Sequence, residues 1–128
     1  MTDTAPTLFR TFVGRVLITR DAAHMAHWKA LGDGSYARHV VLDEFYGAIL
    51  EKLDEIVEVY QGGFWTMEDV LFPGRPHADN IVNHIGAECG WISENKMAIS
   101  GGNAAIGNLL DELCGIYMRS LYKLRNLK

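Results

Sequence analysis

The stretch His27–Glu58, HWKALGDGSYARHVVLDEFYGAILEKLDEIVE, decides how the chain folds. A breaker cluster, Gly32-Asp33-Gly34, divides it. Ser35, directly after the cluster, is a residue type that caps helices. Beyond it Leu42, Phe45, Tyr46, Ile49, Leu50, Leu53, Ile56, Val57 and Tyr60 recur at helical period and form one core-facing stripe. Gly62-Gly63 closes that second helix. Upstream, Leu8, Phe12, Val16 and Phe9, Val13, Leu17 make two adjacent i, i+4 rows. A first helix is therefore expected from about residue 7 to residue 31, after a short tail of residues 1–6.

Downstream, a long connection is expected from Gly62 to about His77. Thr66 and Asp69 are placed as a capping box for one short helix inside it, closed by Pro73-Gly74. A third helix follows over about residues 79–98, with Ile81, Val82, Ile85, Cys89 and Ile92 inward. Ser100-Gly101-Gly102-Asn103 breaks the chain, and Asn103 is a natural cap for a fourth helix. Ile106, Leu109, Leu110, Leu113, Tyr117, Leu121 and Leu124 form its stripe. No strand pattern or internal repeat competes. The expected fold is all-α, a single-domain four-helix bundle over residues 1–128 with one long crossover between helices 2 and 3.

Composition limits the function classes. The chain has 128 residues, 48% apolar and 22% charged, and a formal charge of -4. Such a balance fits a folded globular protein and excludes a globally basic nucleic-acid surface. No segment approaches the roughly 20 apolar residues that span a bilayer. No secretory signal pattern is visible at residues 1–7, so a cytoplasmic protein is expected. Cys89 and Cys114 each sit in an apolar helical pattern and are expected to be buried free thiols.

The second helix carries another face. On a helical wheel, Asp43 lies about 40° round from His39, Asp54 about 60° and Glu58 about 100°. His39 and Asp43 are an i, i+4 pair, and so are Asp54 and Glu58. Each pair can offer two ligands to one metal ion. Within one chain the pairs cannot meet, because Asp43 and Asp54 are separated by roughly 16 Å of helix. A two-fold axis removes the conflict. The four positions are symmetric about a point between residues 48 and 49, beside the small residues Gly47 and Ala48. If two copies of the helix cross antiparallel there, His39 and Asp43 of one chain face Asp54 and Glu58 of the other. His27 on the first helix adds an imidazole. The mixed imidazole and carboxylate set, without thiolate, suits iron, manganese or zinc.

Taken singly, these residues read differently. Asp43, Asp54 and Glu58 are ordinary solvated charges, and His39 an ordinary surface histidine; their joint spacing with His27 turns the reading toward metal. His24 is expected beside the site or in solvent rather than as a ligand, and Trp28 in core or interface packing. His77 and His84 are expected to be structural or exposed. Glu44, Glu51 and Glu55 are expected to face outward.

In this stretch the chain resembles the Dps proteins (DNA-binding protein from starved cells), the miniferritins of the ferritin-like superfamily. His27, Trp28, His39, Asp43, Asp54 and Glu58 fall in register on that family's motif of a His-Trp pair, a glycine turn, a second His, an Asp four later, then Asp and Glu. The tail LLDELCGIYMRSLYKLRNLK is loosely similar to the family's last helix. The resemblance implies a ferritin-like bundle and an iron-storage ferroxidase. Such a protein oxidises Fe(II), usually with hydrogen peroxide, at sites shared between two subunits, and so protects against oxidative damage. It also implies a homo-oligomer, from a two-fold dimer to a hollow dodecameric shell. His27, His39, Asp43, Asp54 and Glu58 are then the catalytic metal ligands, with zinc or manganese as alternative ions. Two departures from the family stand out. The third and fourth helices look shorter than is usual in that family, and residues 1–7 hold no Lys or Arg. DNA binding is therefore not expected, although Arg119, Lys123, Arg125 and Lys128 form a basic end. The competing reading is a non-catalytic helical dimer or interaction module, with or without a structural zinc or manganese site.

Overall fold

The computed structural model describes residues 4–127, and four helices account for most of them. They are α1 (Thr4–Trp28), α2 (Ser35–Gly63), α3 (Ile81–Ser100) and α4 (Ala104–Asn126). No strand occurs among the described residues. α1 packs on α2 and α3, and α4 packs on the same two, so the helices form a ring in the order α1, α2, α4, α3. Side-chain pairs set the directions. Phe9 stacks on Tyr60 and His27 on His39, so α1 and α2 are antiparallel. Arg15–Glu88 with Thr19–His84 makes α1 and α3 antiparallel. Lys52–Glu112 with Lys123–Glu44 does the same for α2 and α4. It follows that α2 and α3 run parallel, and residues 64–80 must return along the length of the bundle.

The apolar stripes meet inside this ring. Phe9, Phe12, Leu42, Phe45, Ile49, Ile56, Ile81, Ile85, Ile99, Ile106, Leu110 and Tyr117 are each less than 2% exposed. Each such aliphatic or aromatic side chain contributes about 1.5–3 kcal/mol of hydrophobic stabilisation. Cys89 and Cys114 are buried free thiols, as their setting in apolar stripes predicts. Burial, with the neighbouring Cys114 and its hydrogen bond, pushes the Cys89 thiol up to about 11, far from thiolate reactivity. No helix among the described residues is long and apolar enough to cross a membrane.

Several boundaries differ from the sequence expectation. α1 begins at Thr4, so residues 4–6 of the expected tail are helical; residues 1–3 lie outside the described residues. Pro6 is compatible with this because a first-turn residue has no intrahelical donor to lose. α1 also ends at Trp28 rather than near Leu31. Ser35 is not a cap: its N–H donates to the Gly32 carbonyl and it is already the first helical residue. Gly34 precedes it at φ 77°, with Gly32 at φ 96°, a left-handed backbone that glycine adopts without strain. Asn103 does cap α4, its Oδ1 accepting from the Ile106 N–H at 3.1 Å.

The short helix expected around Thr66–Pro73 does not form; residues 64–80 contain no helix. The backbone groups it needs are spent on α1. Asp69 O accepts from Arg10 Nε at 2.7 Å, and the Leu71 N–H donates to Arg10 O at 3.3 Å. An extended chain gains about 3.3 Å per residue against 1.5 Å in a helix, and α3 alone is about 30 Å long. Staying extended lets this segment make the return, and Pro73 and Pro76 further disfavour a helix. The contact is close: a Cβ on Gly14 of α1 would sit 1.9 Å from Leu71 O.

Candidate metal centre

The glycine turn between α1 and α2 brings His27 and His39 together. Their rings stack with centroids 3.7 Å apart and planes 25° from parallel. His27 Nδ1 donates to the His39 carbonyl at 2.9 Å, and His39 Nδ1 donates to the His27 carbonyl at 3.2 Å. A carbonyl only accepts, so each Nδ1 must carry its proton. In the neutral rings both Nε2 atoms then keep a free lone pair. A backbone carbonyl on one nitrogen is the usual partner that orients a metal-binding histidine. His27 is half-buried and His39 exposed.

Asp43 follows one turn after His39 on the exposed side of α2. Its Oδ1 accepts a hydrogen bond from the Tyr46 hydroxyl at 2.8 Å. That bond, then desolvation, raises the Tyr46 pKa. The Tyr46 ring stacks on His24 with centroids 4.2 Å apart and planes at 21°, and stands edge-on to His27 at 5.6 Å. His24 also lies 4.3 Å from the Trp28 ring. His24 is thus packed beside the imidazole pair. Trp28 is 65% exposed, which leaves interface packing and removes the core from its two expected settings.

Asp54 and Glu58 are exposed on the same side of α2, further along the helix. Within one chain the structure brings His27 and His39 together, links Asp43 to them only through the Tyr46 side chain, and leaves Asp54 and Glu58 further along the helix. No group of three or more His, Cys, Asp or Glu among the described residues of one chain could hold a metal ion. Among the described residues neither Asp54 nor Glu58 makes an ion pair, whereas Lys52 pairs with Glu55 and Lys123 with Glu44. Like charges four apart on a helix repel, and aspartate is a weak helix former.

Sequence reasoning missed Tyr46, which it placed in the core stripe. The available signal was its i, i+3 relation to Asp43, which puts both on one helix face. His84, expected to be structural or exposed, is half-buried, with Nε2 2.9 Å from Thr19 Oγ1. Desolvation lowers its pKa, with Glu88 opposing. Glu88 accepts in turn from Arg15 Nε and Nη2 at 2.9–3.0 Å. Those residues form a strut between α1 and α3. Comparison with known proteins finds no match to any protein-family model, curated protein or solved structure.

Proposed function

We propose that this chain is a Dps-like ferroxidase of the ferritin-like superfamily, acting as a two-fold dimer with sites completed across the interface. The observation that carries the reading is the reciprocal His27–His39 pair, which engages both Nδ1 atoms and leaves both Nε2 lone pairs for a ligand, with Asp43 one helical turn after His39. The parallel α2 and α3 joined by a long return segment match the one-crossover order of ferritin-like bundles. Gly47 adds support. It lies inside a 29-residue helix, where glycine costs up to about 1 kcal/mol, yet a Cβ there would meet nothing within 4 Å in its own chain. A second helix crossing at this point gives the small residue a purpose. The exposed Trp28 and Tyr36 offer apolar surface beside the half-site.

In this reading Fe(II) is the substrate. His27, His39 and Asp43 of one protomer bind it from one side, and Asp54 and Glu58 of the other protomer from the opposite side. The carboxylates favour Fe(III) over Fe(II) and so lower the potential. Two Fe(II) give one electron each to one hydrogen peroxide, which leaves as water after taking up protons. Pairwise transfer releases no hydroxyl radical. That chemistry is protective without any DNA contact, and the net acidity of the chain gives DNA binding no support.

The test is anaerobic Fe(II) loading, then a peroxide pulse followed by near-ultraviolet absorbance, with mass measured in solution. The expected result is oxidation faster than free iron, two Fe(II) consumed per peroxide, and a particle of at least dimer size. A dodecamer mass would extend the reading to a storage shell. A metal-free monomer that leaves iron oxidation unchanged would contradict the proposal and favour an interaction module. A dimer that holds zinc tightly but does not oxidise iron would favour a structural metal site.

A further inference from the structure

Among the described residues Tyr46 is the one hydroxyl that bonds a proposed ligand, and its ring also packs against the imidazoles of the other helix. A carboxylate at a metal can bind through one oxygen or chelate through both. The Tyr46 hydroxyl donates to Asp43 Oδ1 at 2.8 Å, which engages one lone pair of that oxygen and makes Oδ2 the less encumbered oxygen for a metal. The Tyr46 ring is held between α1 and α2 by stacking on His24 at 4.2 Å, and this fixes where the hydroxyl can point. The same ring stands edge-on to His27 at 5.6 Å. One side chain therefore couples the position of the carboxylate on α2 to the imidazole on α1. A hydrogen-bonded partner of this kind orients a metal ligand, and its loss typically costs about 10- to 100-fold in metal affinity or activity.

We propose that Tyr46 is a positioning residue that holds Asp43 as a one-oxygen ligand aligned with His27, an inference that rests on the ferroxidase reading above. Tyr46 acts through Asp43 and touches no iron itself. The test is Tyr46→Phe, which keeps the ring and removes only the hydroxyl. Far-ultraviolet circular dichroism checks that the helices remain. Wild type, Tyr46→Phe and Asp54→Ala are then assayed for peroxide-driven oxidation over a series of Fe(II) concentrations. The expected result is a half-saturating Fe(II) concentration raised about tenfold in Tyr46→Phe, with the maximal rate largely kept. Titration with Co(II) alone supplies a second readout: an Asp43 freed to chelate raises the coordination number and weakens the visible bands. If the wild type is active and Tyr46→Phe matches it in half-saturation and in Co(II) spectrum, the positioning role is overturned and the ferroxidase reading stands. A lower maximal rate at unchanged half-saturation overturns it too, because the hydroxyl would then act in the reaction rather than in binding. If the wild type itself fails to outpace free iron, the ferroxidase reading falls and this role falls with it.

Discussion

Asp54→Ala is expected to bring peroxide-driven Fe(II) oxidation down to the rate of free iron, a loss of roughly two orders of magnitude or more, while helix content stays unchanged. Losing an outer partner of a metal ligand already costs about 10- to 100-fold. Losing a ligand removes a charge and a bond from the ion itself. The fold has little at stake here. Asp54 is exposed and makes no ion pair among the described residues, and surface changes of this kind stay within about 0.5 kcal/mol. Alanine is also the better helix former and relieves repulsion with Glu58. Stopped-flow absorbance and circular dichroism on one preparation separate the two effects. Full activity in the variant would remove Asp54 from the site.

Gly14→Ala is expected to give a large stability loss. A helical Gly→Ala change on an open face gains up to about 1 kcal/mol. At residue 14 the new Cβ would lie 1.9 Å from Leu71 O, 2.8 Å from Leu71 C and 3.3 Å from Phe72 Cα. These are backbone atoms and cannot swing aside as a side-chain tip would. The segment must lift off α1, giving up Arg10 Nε to Asp69 O and Leu71 N–H to Arg10 O. Overpacking of this kind costs about 1–3 kcal/mol or more, and the thermal midpoint should fall by roughly 5–10 °C. Gly90→Ala is the control, since a Cβ there meets nothing within 4 Å, and its midpoint should hold or rise slightly. Equal behaviour of the two variants would mean the return segment does not lie against α1.

Much of the fold is legible in the chain because helical period over long runs admits few alternatives. The stripe from Leu42 to Tyr60 is buried as its spacing predicts, with Tyr46, Leu50 and Val57 at its half-buried edge. Asn103 is legible as a cap because its side chain acts on a backbone N–H three residues away. The long connection is legible, but the short helix expected inside it does not form, because Thr66 and Asp69 carry a local helix signal that long-range bonds to Arg10 override. The same distinction holds at the site. Wheel geometry along α2 puts His39, Asp43, Asp54 and Glu58 on one side, and all four are exposed there. The ring contact of His27 with His39 spans a turn whose path depends on left-handed backbone at Gly32 and Gly34, and spacing alone does not give it. Tyr46 stayed hidden because one side chain does two things: its ring packs at the stripe edge while its hydroxyl reaches Asp43.

The central claim is that each site draws on two chains, and mixed dimers of Asp54→Ala and His39→Ala test it most directly. Each variant alone lacks a ligand in both of its sites. In the mixed dimer, His39 of the first chain meets Asp54 of the second, so one site is whole and the other lacks both residues. With the two chains carrying different tags and co-purified, the account predicts about half the wild-type oxidation rate per dimer from parents that are each inactive. Mixed dimers as inactive as their parents would contradict the shared site.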